Sequence, residues 1–380
     1  MAILFFGVFA GGIFIGRQQV NCNVCKPETV NFSLFWDAYN KLHEHFISPE
    51  LIVDQKIVYG AIAGMTQSTG DPYTEFFDPQ EAKMFEQDLA GSFSGIGIEV
   101  AIKKDQMTIV APLKGTPSEK AGLKSGDLIV KINDKSTVDM SIDEAVNIIR
   151  GKKGTSVTLS IFREGWSQPK DFTITRDTIK IPSMTWEIKN GDVAYIHLHQ
   201  FDQNLSPDFK KAALEILKSP VKKIILDVRN NPGGYLDVSQ EIAGWFLKPG
   251  QVVTIEDFGK GKEKQEYKAQ GNAEFANYPM VVLINKGSAS ASEILAGALR
   301  DNRNIQLVGE KSFGKGSVQE VITLQDGVSF LKVTIAKWLT PKGNSIAEVG
   351  LTPDVKVEIT DADTEAKKDP QLDKALEMLK

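Results

Sequence analysis

The chain has 380 residues, 42% of them hydrophobic, which is enough for two or three domains with real cores. Its 44 basic and 49 acidic residues leave a formal net charge of −5, and no lysine- or arginine-rich run marks a nucleic-acid partner. No internal repeat, low-complexity tract or metal-ligand cluster stands out, so neither a metal nor a cofactor is expected.

The first element is the uncharged stretch AILFFGVFAGGIFIG, residues 2–16, closed by Arg17. It is shorter than the about 20 residues of a spanning helix and comparable with the longest secretory apolar regions. Residues 1–17 read as a hydrophobic membrane anchor or signal segment. An uncleaved anchor is favoured because no A-x-A pattern follows, and a start-site truncation is the alternative. The linker 18–31 carries the only cysteines, Cys22 and Cys25. Without a strand-helix context or a second pair, they read as a tether disulfide or an inert pair rather than a redox or zinc site. Residues 32–90 read as a helical segment, since SLFWDAYNKLHEHF and KIVYGAIAGMTQS space apolar residues at i, i+3 and i+4. His43 and His45, two apart on the first helix, face different directions and read as surface residues.

In residues 91–165 the segment GSFSGIGIEV sets glycines immediately before an alternating strand. That geometry leaves backbone N–H groups along Ser94, Gly95, Ile96, Gly97 and Ile98 available to a carboxylate. SEKAGLKSGDLIVKINDKS then predicts a helix, turn and strand, SIDEAVNIIRG a helix, and SVTLSIFREG a closing strand. The set resembles a PDZ domain, in which a peptide adds as a strand beside the sheet while the glycine loop holds its terminal carboxylate. The resemblance implies protein or peptide C-terminal tails as partners. Arg150, at the end of the predicted groove helix, is the charge best placed to couple this module to its neighbours and is a candidate for gating. A cation at that position also complements the helix dipole, which is its ordinary explanation.

Between 166 and 360, strand-like segments at 193–201, 222–228, 281–285 and 305–308 alternate with helical ones at 206–217, 236–247 and 290–299. That alternation predicts an α/β core with an open sheet flanked by helices and a site near strand ends, within a multidomain α+β chain. KKDPQLDKALEMLK, within 361–380, predicts an amphipathic C-terminal helix.

Two segments carry the chemistry, NKGSASASEILAGALRDN and GEKSFGKGSVQEV. Ser290 opens a helix, where the N–H of Ala291 and the helix dipole favour developing negative charge. None of the four histidines lies near either segment, so the base expected for Ser290 is Lys315, 25 positions on. A lysine is almost fully protonated at neutral pH, and making it a useful base costs about 4 kcal/mol in differential stabilisation, which demands burial. Serine-lysine pairs are an accepted form of nucleophile plus base. If 315–322 is extended, Lys315, Ser317 and Gln319 share a face, and Gln319 can orient the amine. A strand at 221–228 runs into RNNPGG, whose turn offers a second oxyanion donor at Gly233 or Gly234. Gly309-x4-Gly314-Lys315 nearly spells a phosphate-binding loop, but Gly316 stands where Ser or Thr is required and a β-rich stretch follows.

RNNPGG, GSASASEILAGAL and GEKSFGKGSVQ together resemble the C-terminal processing peptidases, or tail-specific proteases, and the resemblance covers nearly everything after about residue 32. In that family the nucleophile is the middle serine of S-A-S-A-S, a lysine follows 25 residues later and a glutamine four beyond it. Ser290, Lys315 and Gln319 match that spacing. The resemblance implies a serine endopeptidase cutting proteins near their C-termini, with its catalytic part outside the cytoplasm, periplasmic or extracellular. It also implies a helical lead-in that can support a homo-oligomer or close over the PDZ domain. The alternatives are a membrane-tethered PDZ tail-binding protein with an inactive core, and a serine hydrolase that uses His197 or His199.

Overall fold

A computed structural model describes residues 29–380 apart from 104, 105 and 260. The expected anchor and the pair Cys22 and Cys25 lie outside the described residues. Among those described, no helix is long and apolar enough to cross a membrane. The chain divides into two compact units, 1–62 and 63–380. In the first, the helix Ser33–His45 forms as its apolar spacing predicts, yet it buries no residue. Leu34 is 78% exposed, and His43 and His45 are both on the surface.

The second unit contains the expected PDZ-like domain and the expected α/β core. The lead-in is not helical throughout, because a short strand, Glu75–Phe77, precedes the helix Pro79–Leu89. It pairs antiparallel with the strand Phe330–Leu339, far along the chain. The PDZ sheet comprises Ile98–Lys103, Gln106–Pro112, Leu128–Ile132, Ser156–Phe162 and Lys170–Thr175, with Lys135–Ser136 at its side. Strict alternation in Ser156–Phe162 sends Val157, Leu159 and Ile161 into a core with Ile109, Ile129 and Ile132. The sheet extends past the expected boundary at 165, because Ile174 and Phe172 supply the same alternating inward face. The groove helix, Ile142–Ile149, begins with a capping box between Ser141 and Glu144. Ser92–Gly95, entering the domain, pairs antiparallel with Asp177–Lys180, leaving it.

The α/β core is built on a six-stranded sheet in the order Met184–Lys189, Val193–Leu198, Lys223–Asp227, Met280–Ile284, Gln306–Gly309, Val355–Lys356. The first pair is antiparallel and the rest are parallel. The central strands are continuously apolar because both faces are covered. Ile224, Leu226, Val282 and Ile284 pack beneath the helices Leu205–Leu217, Leu236–Ala243 and Ala291–Arg303. Ile225, Val281 and Leu283 face the other way, against Ala375 and Leu379 of the tail. That tail forms two helices, Asp361–Glu365 and Pro370–Met378, where one was expected. A second sheet joins Glu75–Phe77, Phe330–Leu339, Val252–Asp257 and Gln265–Lys268, with Ser317–Thr323 also paired to Phe330–Leu339.

Candidate active site

Two neighbouring parallel strands, Lys223–Asp227 and Met280–Ile284, end side by side and release two of the loops that form the site. The second loop turns sharply into the helix Ala291–Arg303, and the turn falls on Ser290, whose φ of 55° and ψ of −117° are a costly conformation for a residue with a Cβ. The three serines of the run separate here. Ser288 donates to the carbonyl of Val228 and Ser292 to that of Asn231, both fully buried, whereas Ser290 faces a cleft of about 470 Å³. Lys315, Gln319, Ala291, Gly233 and Gly234 line the same cleft, so the structure brings all the predicted catalytic and oxyanion residues together.

Lys315 is half-buried, and no carboxylate among the described residues lies within ion-pair distance of its amine. Burial, reinforced by the charge of Lys332, holds that amine below the ordinary lysine range. Glu75 opposes the shift only partly, being itself paired with Lys332 at 2.6 Å. Nζ lies 5.6 Å from the centre of the Tyr73 ring. The regular strand begins at Ser317, so Lys315 sits in the preceding loop rather than on a common strand face with Gln319. Gly316 allows the loop to pass against residue 347, since a Cβ there would lie 2.0 Å from the Ala347 nitrogen. The amide nitrogen of Gln319 is engaged elsewhere than at the Lys315 amine. The pairing with Phe330–Leu339 shifts register between Val318 and Gln319, and the Gln319 amide donates to Ser317 Oγ at 2.6 Å and Thr334 Oγ1 at 3.5 Å.

Glu293 is the functional residue that sequence reasoning missed. Fully buried, it accepts from the backbone N–H of Ser290 and of Lys315 through one oxygen, each at 2.9 Å. Its other oxygen accepts from Gly314 N at 2.8 Å and Ser312 Oγ at 2.5 Å. One carboxylate therefore ties the serine turn to the lysine loop. Burial pushes its carboxyl up, and these four donors counteract that by favouring the charged form. The signal was present in the sequence as Ser290-x-x-Glu293, a capping-box spacing.

The loop 229–234 supplies the facing wall. Asn231 takes Ala289 N and Ser292 Oγ on its carbonyl, and its side-chain oxygen accepts the N–H of Gly233 at 2.9 Å. That engages one of the two expected oxyanion donors. No described residue accepts from the N–H of Gly234 or of Ala291. Gly233, at φ 97°, lies so close that a Cβ there would sit 2.8 Å from Ser290 Cβ. Leu236, Ile294, Val318 and Trp338 make much of the remaining cleft apolar, and Phe85 and Leu89 reach it from the helix Pro79–Leu89.

His197 and His199 are not among the cleft's lining residues; their rings lie 4.2 Å apart, with His199 Nε2 3.3 Å from Thr185 Oγ1. In the PDZ domain, the Ile96 carbonyl accepts from Ser118 N and the Gly97 carbonyl from Leu113 N, Thr116 Oγ1 and Ser118 Oγ. These bonds hold a loop shorter than expected: Ser94 and Gly95 belong to the strand paired with Asp177–Lys180 and Ile98 opens the next strand, which leaves Ile96 and Gly97 between them. Arg150 stacks over the Phe93 ring at 4.4 Å. It lines a groove with Lys83, Met84 and Gln87, which belong to the same helix that sends Phe85 and Leu89 into the catalytic cleft.

Comparison with known proteins agrees with this architecture. Residues 192–357 match the model of peptidase family S41, and 108–163 match a PDZ domain. The chain is 38% identical over 347 residues to a probable CtpA-like serine protease of Staphylococcus epidermidis, covering 91% of this chain and 69% of that protein. It is 40% identical over 328 residues to the carboxy-terminal processing protease CtpA of Bacillus subtilis, covering 86% and 70%. The solved photosystem II D1 C-terminal processing protease superimposes with a TM-score of 0.55 at 29% identity, over 87% of this chain and 89% of that one. The chain belongs to peptidase family S41, as a serine protease of the carboxy-terminal processing kind that carries a PDZ domain.

Proposed function

We propose that this protease cleaves protein substrates near their C-termini with Ser290 as nucleophile and Lys315 as base. The observation that carries the reading is the shared cleft, which Ser290 lines together with a lysine whose amine burial keeps below its ordinary range. Neutral Lys315 takes the proton of Ser290 as Oγ attacks the scissile carbonyl. The oxyanion is met by the N–H groups of Ala291 and Gly234, the latter chosen because Gly233 is engaged with Asn231. Collapse expels the amine, which takes the proton back from Lys315, and leaves an acyl-serine; Lys315 then activates a water for hydrolysis. Gln319 acts at one remove, by holding Ser317 and Thr334 beside the lysine loop.

The PDZ loop, Ser94 to Ile98, binds the substrate's terminal carboxylate. Arg150 relays its occupancy through the helix Pro79–Leu89, a gating route supported by the placement of that helix between the two sites. The uncharged stretch 2–16 supports tethering to a membrane with the catalytic part outside the cytoplasm, and the exposed apolar residues of Ser33–His45 support a homo-oligomer. Nothing in the site favours an inactive scaffold. The test is mass-spectrometric detection of cuts in a loosely folded protein with an apolar C-terminus. Wild type should cut it, and Ser290→Ala and Lys315→Ala should both be silent; persistent cutting by Lys315→Ala would refute the base.

A further inference from the structure

The residues at the start of the last helix reach a place far from it in sequence. Arg229, 8% exposed, is the second residue after the strand Lys223–Asp227 and opens the loop 229–234. Its guanidinium is held on one side by Asp227, with Nε 3.0 Å from both carboxylate oxygens and NH2 2.6 Å from Oδ2. On the other side it meets Asp369 in a two-pronged pair, at 2.9 Å and 2.8 Å, and Gln371 Oε1 at 2.9 Å. Every nitrogen of the guanidinium is thus committed, in the fork geometry that makes arginine pairs specific in direction. Gln371 is fully buried and is fixed in turn by donating to the Val357 carbonyl at 2.8 Å. Asp369 also caps the helix Pro370–Met378 by accepting Leu372 N.

The chain turns hard directly beyond this clamp. Asn230 has a φ of 55°, its N–H donates to Asn285 Oδ1 and its side chain accepts from Asn285 Nδ2. Asn231 next carries the bonds to Ala289, Ser292 and Gly233 described above. Asn230, Asn231 and Gly233 are thus each held by hydrogen bonds in the loop that Arg229 opens and Gly234 closes, so the clamp on Arg229 anchors the start of the segment that carries the Gly234 N–H. The sequence KKDPQLDKALEMLK offered only an amphipathic helix, and nothing in the reaction as described uses it.

We propose that Asp369 and Gln371 are positioning residues for the oxyanion loop, acting through Arg229. The inference rests on the serine-lysine reading of the site, with Gly234 as donor. The test compares Asp369→Asn and Gln371→Leu with wild type and with Leu376→Ala, which loosens the packing of the same helix on the sheet without touching Arg229. Rates are expressed per folded molecule. The first two variants should lower kcat roughly tenfold to a hundredfold with KM little changed, less than the about 10²–10³ of losing an oxyanion donor outright. They should weaken binding of a peptide aldehyde, whose adduct with Ser290 needs the oxyanion donors, by the same factor. Leu376→Ala should lose stability and keep kcat. Equal kcat and equal aldehyde affinity in all four proteins would overturn the clamp, as would an equal fall in Leu376→Ala. If wild type itself forms no adduct, or Ser290→Ala still cuts, it is the serine-lysine reading that fails.

Discussion

Lys315 suits the part of a base because it is half screened from water and meets no counter-ion among the described residues, while the one carboxylate nearby in charge terms is occupied by Lys332. The rate should therefore climb with pH through a midpoint below the ordinary lysine value, a limb that a kcat/KM profile would reveal. The same burial has a stability side with a definite sign. The folded state resists protonating Lys315 while the unfolded chain does not, so the cost is full below the folded pKa and fades as pH rises towards the ordinary one. Lys315→Met should thus stabilise the protein at neutral pH, and the gain should shrink at pH 10, as measured by urea unfolding at both. Gly233→Ala tests the opposite wall. At φ 97° and with Ser290 Cβ 2.8 Å from the new methyl, the loop must move, and kcat should fall by about a hundredfold while circular dichroism stays unchanged.

Among the elements, the carboxylate of Glu293 joins a helix start to a loop that follows another strand, so its loss should be felt in both. Glu293→Gln puts an amide donor where only donors point, and should cost about 2–3 kcal/mol in a denaturant titration as well as slowing the reaction. Elsewhere the elements were legible because their periodicity is local. The strands of the parallel sheet, the helix after Ser290 and the PDZ groove helix follow from alternation, 3.6-residue spacing and capping residues. What could not be read depends on partners distant in the chain. The strand Glu75–Phe77 exists only because Phe330–Leu339 offers it an edge, and the register shift beside Gln319 is set by that same partner strand. Lys315 and Gln319 were legible as a pair by spacing, but the duty of Gln319 was not, since Thr334 comes from across the sheet.

At the level of the whole molecule, the PDZ domain leaves and rejoins the peptidase along one short pair of strands, Ser92–Gly95 and Asp177–Lys180. A chain in which a short turn replaces 96–176 should therefore keep its peptidase sheets. If the PDZ loop reads the terminal carboxylate, wild type should cut a free-tailed substrate about tenfold or more faster than its amidated twin, the worth of charge-assisted hydrogen bonds, and the shortened chain should cut both alike. Equal rates in wild type would remove that role from the loop. The pairing of Glu75–Phe77 with Phe330–Leu339 carries one more consequence, which concerns the birth of the enzyme. Phe85 and Leu89 emerge from the ribosome early, Lys315 and Trp338 very late, and the cleft needs all of them. Domains tend to fold as units during synthesis. A growing chain can complete its PDZ domain and wait, but on the serine-lysine reading it owns no cutting centre until Trp338 has been made, so a nascent protease should not turn on the unfolded chains around it.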